Sequence, residues 1–325
     1  MALSGRRIVV TGGAGFLGGP LIESLVELGA ERGRIIVPRS NDVDLRIREE
    51  CVRLVSGADL VIHLAGNAGG IGWNRSHPGA LFYDNVAMGI HLMEESRRAG
   101  VSKFLFTGTV CSYPCVPPRI PFLEEDIWEG YPEPTNAPYG IAKKALMVMA
   151  AAYREEYGFN AVCVMPVNLY GPRDHFFDPA KSHVIPALIQ KFVDAREARE
   201  PSVTVWGSGY EGDVPVSREF LYVDDAARGI ALAAARYDSS EPVNLGSGEE
   251  TTLVGLVEMV KEMTGYGGEV VRDLTKPNGQ PRRCLDTAKA KERFGFTAEV
   301  PFREGLRQTV VWYEAERRRR AREGR

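Results

Sequence analysis

At 325 residues the chain can form one large domain or two of ordinary size, with a substantial buried core. Hydrophobic residues at 44% and charged residues at 26% are an ordinary globular balance, which argues against global disorder; a net charge of -3 argues against a nucleic-acid surface spread over the molecule. Cys51, Cys111, Cys115, Cys163 and Cys284 are odd in number and lack CxxC spacing, so neither a disulfide framework nor a metal knuckle is expected.

Arg7 to Val10 reads as a short buried strand, and Pro20 to Leu28 as a helix with Leu21, Leu25 and Leu28 at helical spacing. A strand at Arg34 to Val37, a helix near Glu49 to Val55 and a strand at Leu60 to Leu64 follow. Next come a helix around Asp84 to Arg98, a strand at Phe104 to Thr107, a helix over Tyr139 to Tyr157 and a strand at Ala161 to Met165. This alternation predicts an α/β fold, a Rossmann-type doubly wound parallel sheet covered by helices. Beyond Pro166, Pro and Gly become frequent and helices such as Pro186 to Glu197 are separated by irregular stretches, which predicts a smaller α/β substrate-binding domain. Phe220 to Val223 and Pro242 to Leu245 read as strands returning to the main sheet. The expected division is therefore 1–168 and 218–248 for a dinucleotide, with 169–217 and 249–325 for the substrate. Arg317, Arg318, Arg319, Arg320, Arg322 and Arg325 read as a solvated, frayed helix end. The N-terminus lacks the apolar core of a signal peptide, and no stretch reaches the roughly 18 apolar residues of a membrane helix. A reducing cytoplasm is the expected location, with no membrane or nucleic-acid partner.

The first strand runs into Thr11-Gly12-Gly13-Ala14-Gly15-Phe16-Leu17-Gly18 and then a helix. Glycines at 12, 15 and 18 allow a tight turn, close backbone approach to a pyrophosphate and close helix–sheet packing, while helix N-terminal amides favour the diphosphate's charge. A plain structural turn is the alternative, but the strand–helix junction is the context that dinucleotide binding needs. After the second strand, Arg39 leans towards a 2'-phosphate and so towards NADP over NAD, although it reads equally as a loop charge. Asp44 and Leu45 are placed to touch the adenine.

Tyr139 and Lys143 stand at i and i+4, on one helical face. A nearby ammonium is expected to lower the phenol's pKa and assist proton movement, and it can also hold a nicotinamide ribose. Thr109 follows a strand, where its hydroxyl could bind the same substrate oxygen as the phenol. A surface Tyr–Lys pair is the bland alternative.

With these motifs, the chain resembles the extended short-chain dehydrogenases/reductases and, over almost its full length, the GDP-L-fucose synthase family. The matching stretches are Gly69-Gly70-Ile71-Gly72, Cys111-Ser112-Tyr113-Pro114, Pro134 to Tyr139, Asn168-Leu169-Tyr170-Gly171-Pro172, Ser182 to Leu188, Arg218 to Asp225 and Lys276 to Arg283. The resemblance implies a GDP-linked 4-keto-6-deoxy-mannose, epimerised at C3 and C5 and then reduced at C4. It assigns proton removal and return to Cys111 and His183, with Cys111 the base, for which a positive neighbour should favour the thiolate. It places Leu64, Ala65, Gly66, Pro166, Asn168, Leu169 and His183 about the cofactor. It sets Asn168, Lys191, Trp206, Arg218 and Arg283 about the substrate, the arginines facing its diphosphate. A core aromatic is the alternative for Trp206.

Several positions depart from the family: Gly66, Asn67, Trp73, Cys115, Asn278 and a longer run from Gly207 to Ser217. They keep open a redox-neutral GDP-hexose epimerase or pyranose/furanose mutase that retains NAD, and, in another class, a non-catalytic dinucleotide sensor. Relatives pair as homodimers through the helices here expected at Asp84 to Arg98 and Tyr139 to Tyr157.

Overall fold

Runs of Val, Ile and Leu without polar alternation need burial on both faces of a strand. The computed structural model, which describes residues 2–178, 182–276 and 280–324, supplies that burial. The chain begins with β1 (Ile8–Thr11), α1 (Gly18–Glu27), β2 (Ile35–Ile36), α2 (Arg48–Val55), β3 (Leu60–His63), α3 (Ile71–Ser76), α4 (Pro78–Arg98) and β4 (Lys103–Thr107). After two short 3-10 turns come α5 (Ala137–Tyr157), β5 (Ala161–Pro166), β6 (Asn168–Tyr170), α6 (Val184–Ala198), β7 (Ser202–Trp206), β8 (Tyr210–Glu211), β9 (Val214–Pro215) and β10 (Ser217–Tyr222). It ends with α7 (Val223–Arg236), β11 (Val243–Leu245), β12 (Glu250–Thr252), α8 (Leu253–Thr264), β13 (Glu269–Asp273), α9 (Ala288–Phe294) and α10 (Phe302–Arg322).

Six strands form one parallel sheet in the order β2-β1-β3-β4-β5-β11. Strand order reverses between β1 and β3, the place where a doubly wound sheet opens a crevice at its carboxyl ends. Every residue of β1, β3 and β4 is buried.

The return of Val243–Leu245 to the main sheet holds, but that of Phe220 does not. β10 instead joins a second sheet of order β12-β10-β6, parallel to β6 and antiparallel to β12. Two hydrophobic cores result. One runs from Leu3 through the main sheet and takes in Leu285, Ala290, Phe294 and Phe296. The other lies between α6, α8 and α10 and is built on Tyr170, Phe192, Leu256 and Tyr313.

The arginine tail is not frayed as far as it is described. α10 continues through Arg322, Arg317 meets Asp194 at 2.9 Å and Glu197 at 2.8 Å on α6, and Arg320 lies 3.8 Å over the Phe177 ring. Carboxylates at the right helical spacing, Glu316 and Glu323, take up the charge of Arg319. Arg325, the last of the run, lies outside the described residues, as does Asn278.

Candidate active site

The glycine turn closes against the crevice. Gly12 adopts φ 72°, a region that favours glycine, and a Cβ there would fall 2.7 Å from the Ala65 nitrogen. A Cβ on Gly18 would sit 2.3 Å from the Gly13 Cα, so α1 starts in direct contact with the turn. Leu64 donates its N–H to the Thr11 carbonyl at 3.0 Å, which joins the ends of β1 and β3. Below them the buried Thr11 hydroxyl and His63 Nδ1 lie 2.8 Å apart, and burial pushes the imidazole down to about 3, so it is neutral. Bare backbone at a helix N-terminus, with no room for a Cβ, fits a pyrophosphate.

After β2, Arg39 is exposed, and its side chain makes no hydrogen bond or ion pair among the described residues. Asp44 is engaged with Arg46 at 2.8 Å, which pulls its carboxyl down to about 2, and Leu45 is buried in the first core. Arg173, at φ 72°, was not singled out in the sequence; its Nη1 would be 3.1 Å from a Cβ on Gly19, beside the glycine turn. A positive φ on a bulky residue is a strained backbone state, and sequence gives no sign of it.

Tyr139 and Lys143 lie on the first turns of α5, with Nζ 5.7 Å from the phenol ring centre. Burial dominates both groups. It pushes the half-buried phenol up, with Cys111 adding to the rise, and pushes the ammonium of Lys143, 1% exposed, down to about 8. The expected lowering of the phenol by its lysine is not seen: desolvation and Cys111 both raise it. The phenol stays protonated through neutral pH, as a proton donor requires.

Cys111 sits in a turn capped by Thr109, whose Oγ1 accepts the Cys111 N–H at 3.1 Å. α5 packs straight onto this turn: the Ser112 hydroxyl donates to the Gly140 carbonyl at 3.0 Å, and a Cβ on Gly140 would meet the Cys111 oxygen at 2.4 Å. From the other side, Arg283 Nη1 donates to the Cys111 Sγ at 3.9 Å. Arg218 is near both groups: burial, followed by repulsion from Arg283, lowers its guanidinium to about 10, against an opposing effect of Cys111, and it is still charged at neutral pH. Tyr139, Cys111, Arg218 and Arg283 thus form one cluster.

Other expected residues lie apart from that cluster or beside it. Asn168 donates to the Glu219 carbonyl at 2.9 Å and pairs with Phe220 where β6 meets β10. Pro166 ends β5, and Val167 next to it bonds to Leu245; Leu169 packs against the first core. His183 precedes α6 with its side chain about half exposed, and its Nδ1 is 3.7 Å from Asp174. Lys191 donates to the Thr204 carbonyl at 3.1 Å, and Trp206, 57% exposed, stands between Lys191 at 5.9 Å and Lys276 at 5.6 Å. That exposure removes the core-aromatic reading of Trp206.

Three of the departures, Gly66, Asn67 and Trp73, lie together against α4. Asn67 donates to Asp84 at 3.0 Å and accepts from Trp73 Nε1 at 3.2 Å, Trp73 stacks on His77 at 3.9 Å, and Gly66 lies against Asn85. Asn74 of the same helix donates to Asn136, the residue before α5, at 2.9 Å. The run after Gly207 carries the small β8–β9 hairpin.

A parallel sheet with a glycine-lined crevice, and a Tyr–Lys pair on α5 whose ammonium acts on the buried His63 beneath that crevice, define a nicotinamide-dinucleotide enzyme of the extended short-chain dehydrogenase type. The chain belongs to the NAD dependent epimerase/dehydratase family, whose profile matches residues 8–246. Within it, the chain is 38% identical over 317 residues to the probable GDP-L-fucose synthase 1 of Oryza sativa subsp. japonica, covering 96% of this chain and 93% of that protein. It is 34% identical to the GDP-L-fucose synthase of Escherichia coli strain K12, over 96% and 97% of the two chains. Among solved structures, a GDP-L-fucose synthetase from Naegleria fowleri bound to NADP superposes with a TM-score of 0.84 at 26% identity, covering 97% of this chain and 96% of that one.

Proposed function

We propose that the protein is a GDP-L-fucose synthase that converts GDP-4-keto-6-deoxy-mannose with NADPH. The observation that supports this is the cluster itself: a protonated phenol, a thiol and two guanidiniums act on one another in a chain whose first strand–helix turn is shaped for a dinucleotide. When bound, the nicotinamide supplies hydride. Gly12, Gly15, Phe16, Leu17 and Gly18 would hold its pyrophosphate, Arg39 the 2'-phosphate, and Lys143 the ribose. Leu64, Ala65, Gly66, Pro166, Leu169, Asp44 and Leu45 complete that groove.

Cys111 removes the protons next to the ketone, where the carbanion's charge spreads onto the C4 oxygen, and His183 returns them on the opposite face. Tyr139 then gives its proton to the C4 oxygen, with Thr109 and Lys143 orienting the phenol. Arg218 and Arg283 offer donors to the diphosphate, Lys191 and Trp206 flank the base, and Asn168 reaches the sugar. The two cores support dinucleotide binding by 1–168 and 218–248 and substrate binding by 169–217 and 249–325, with two exceptions: Phe220 and Tyr222 pack in the second core, and the segment from Leu285 to Phe296 packs in the first. The enzyme acts as a homodimer paired through α4 and α5. Five free cysteines suit a reducing cytoplasm, and no helix among the described residues is long and apolar enough to cross a membrane.

Supplying the 4-keto sugar nucleotide with NADPH tests the proposal: reduced nicotinamide absorbance should fall as GDP-L-fucose forms. The connected Asn67–Trp73–Asp84 group favours one other reading, a redox-neutral epimerase or mutase retaining NAD. That reading gains the field if no NADPH is consumed and the purified protein carries oxidised NAD.

A further inference from the structure

A buried guanidinium without a carboxylate is costly unless something anionic meets it. Arg283 is 9% exposed, and among the described residues no carboxylate pairs with it. Its Nη1 is aimed at the Cys111 sulfur, and its Nε donates to the Gln280 Oε1 at 2.6 Å. Gln280, 8% exposed, donates its own Nε2 to the Cys115 carbonyl at 2.9 Å and the Pro114 carbonyl at 3.3 Å. One amide therefore uses two donors on the loop that carries Cys111 and one acceptor on the arginine that faces it. Only an amide side chain of this length offers that set; glutamate cannot donate, and an alkyl chain does neither.

We infer that Gln280 is a positioning residue for proton abstraction: it ties Arg283 to the 111–115 loop so that the guanidinium's charge is held against the Cys111 thiolate. The contact with a neutral thiol is weak, and it becomes charge-assisted when the proton leaves. This inference rests on Cys111 being the base of the proposed reaction.

The test separates the two claims. In a Cys115→Ser background, Cys111 is the one thiol not buried, since Cys51, Cys163 and Cys284 lie in the interior. Alkylation of Cys111 by neutral iodoacetamide, without substrate and at one pH near neutral, reads thiolate reactivity. Gln280→Ala is expected to slow it about five- to tenfold, the scale of losing one partly buried neighbouring charge. Arg283→Met should slow it at least as much, and the double variant no further than Arg283→Met alone. A looser fold would not produce that coupling. Alkylation of Gln280→Ala at the parent rate, or losses that multiply in the double variant, would overturn the inference. Deuterium incorporation at C3 and C5 of the sugar should then fall in the same order. Incorporation that is absent in the parent, or undiminished in Cys111→Ser, defeats the proposed reaction instead.

Discussion

Tyr139 and Lys143 stand one turn apart, yet burial moves their proton affinities in opposite directions, and the phenol's shift keeps the proton that a reductive step would need. Tyr139→Phe keeps the ring and removes the proton, so turnover should drop about 10²-fold or more while NADPH still binds. Steady-state assays that find the parent rate would remove the phenol from the chemistry. Lys143 has a stability consequence. Its folded value, about 8, lies below its ordinary 10.5, so between those pH values the unfolded chain holds more protons and stability rises with pH. Below about pH 8 both states are charged and the full burial cost is borne. Lys143→Met should therefore stabilise the cofactor-free protein by up to roughly 3 kcal/mol at pH 7, the advantage fading towards pH 10.5. Urea unfolding across that range measures it, and a pH-independent difference would show that the ammonium is not desolvated. The Tyr–Lys pair was legible because i, i+4 spacing is local. The Arg283–Cys111 contact was not, since 172 residues separate its partners and only the fold brings them together.

At the level of elements, the glycine turn shows what a short motif can specify. Gly18 lies in ordinary helical backbone, so alanine there is locally favourable, but its Cβ would strike the Gly13 backbone at 2.3 Å. Backbone cannot swing away, so Gly18→Ala should push α1 off the turn. Expected results are a destabilisation of about 1–3 kcal/mol and NADPH affinity reduced at least about tenfold. A fluorescence titration giving the parent affinity would mean that the cradle tolerates that displacement. Local patterns also gave the β-α-β alternation and the start of α5 within two residues. They did not show which sheet β10 joins, because an apolar strand carries no mark of its partner. Nor did they show that α10 is ordered through its arginines, since Asp194 and Glu197 come from α6, more than a hundred residues earlier.

Across the whole molecule, Glu219 joins the two cores at the site. Its buried carboxylate accepts from the Leu285 N–H at 2.6 Å and the Gly248 N–H at 2.8 Å, and its own N–H donates to the Arg283 carbonyl at 3.0 Å. The segment bearing Arg283 is thereby fixed between the nucleotide sheet and the β10 sheet. The proposed dimer bears on the same site, because α5 carries Tyr139 on one face and an exposed apolar stripe on another. Val148 is 57% exposed, with Ala145 and Ala152 exposed at helical spacing from it, and α4 alongside exposes Phe82 and Tyr83. Apolar side chains repeated along two adjacent helices are what a helical interface buries, and a charge at its centre is desolvated without a partner. Val148→Glu is therefore expected to yield a monomer by sedimentation while urea unfolding at low protein concentration changes little. Because Val148 touches neither the glycine turn nor the Cys111 loop, any fall in activity that accompanies dissociation would reflect loosening of α5 itself. A Val148→Glu protein that still sediments as a dimer would move the interface off these helices.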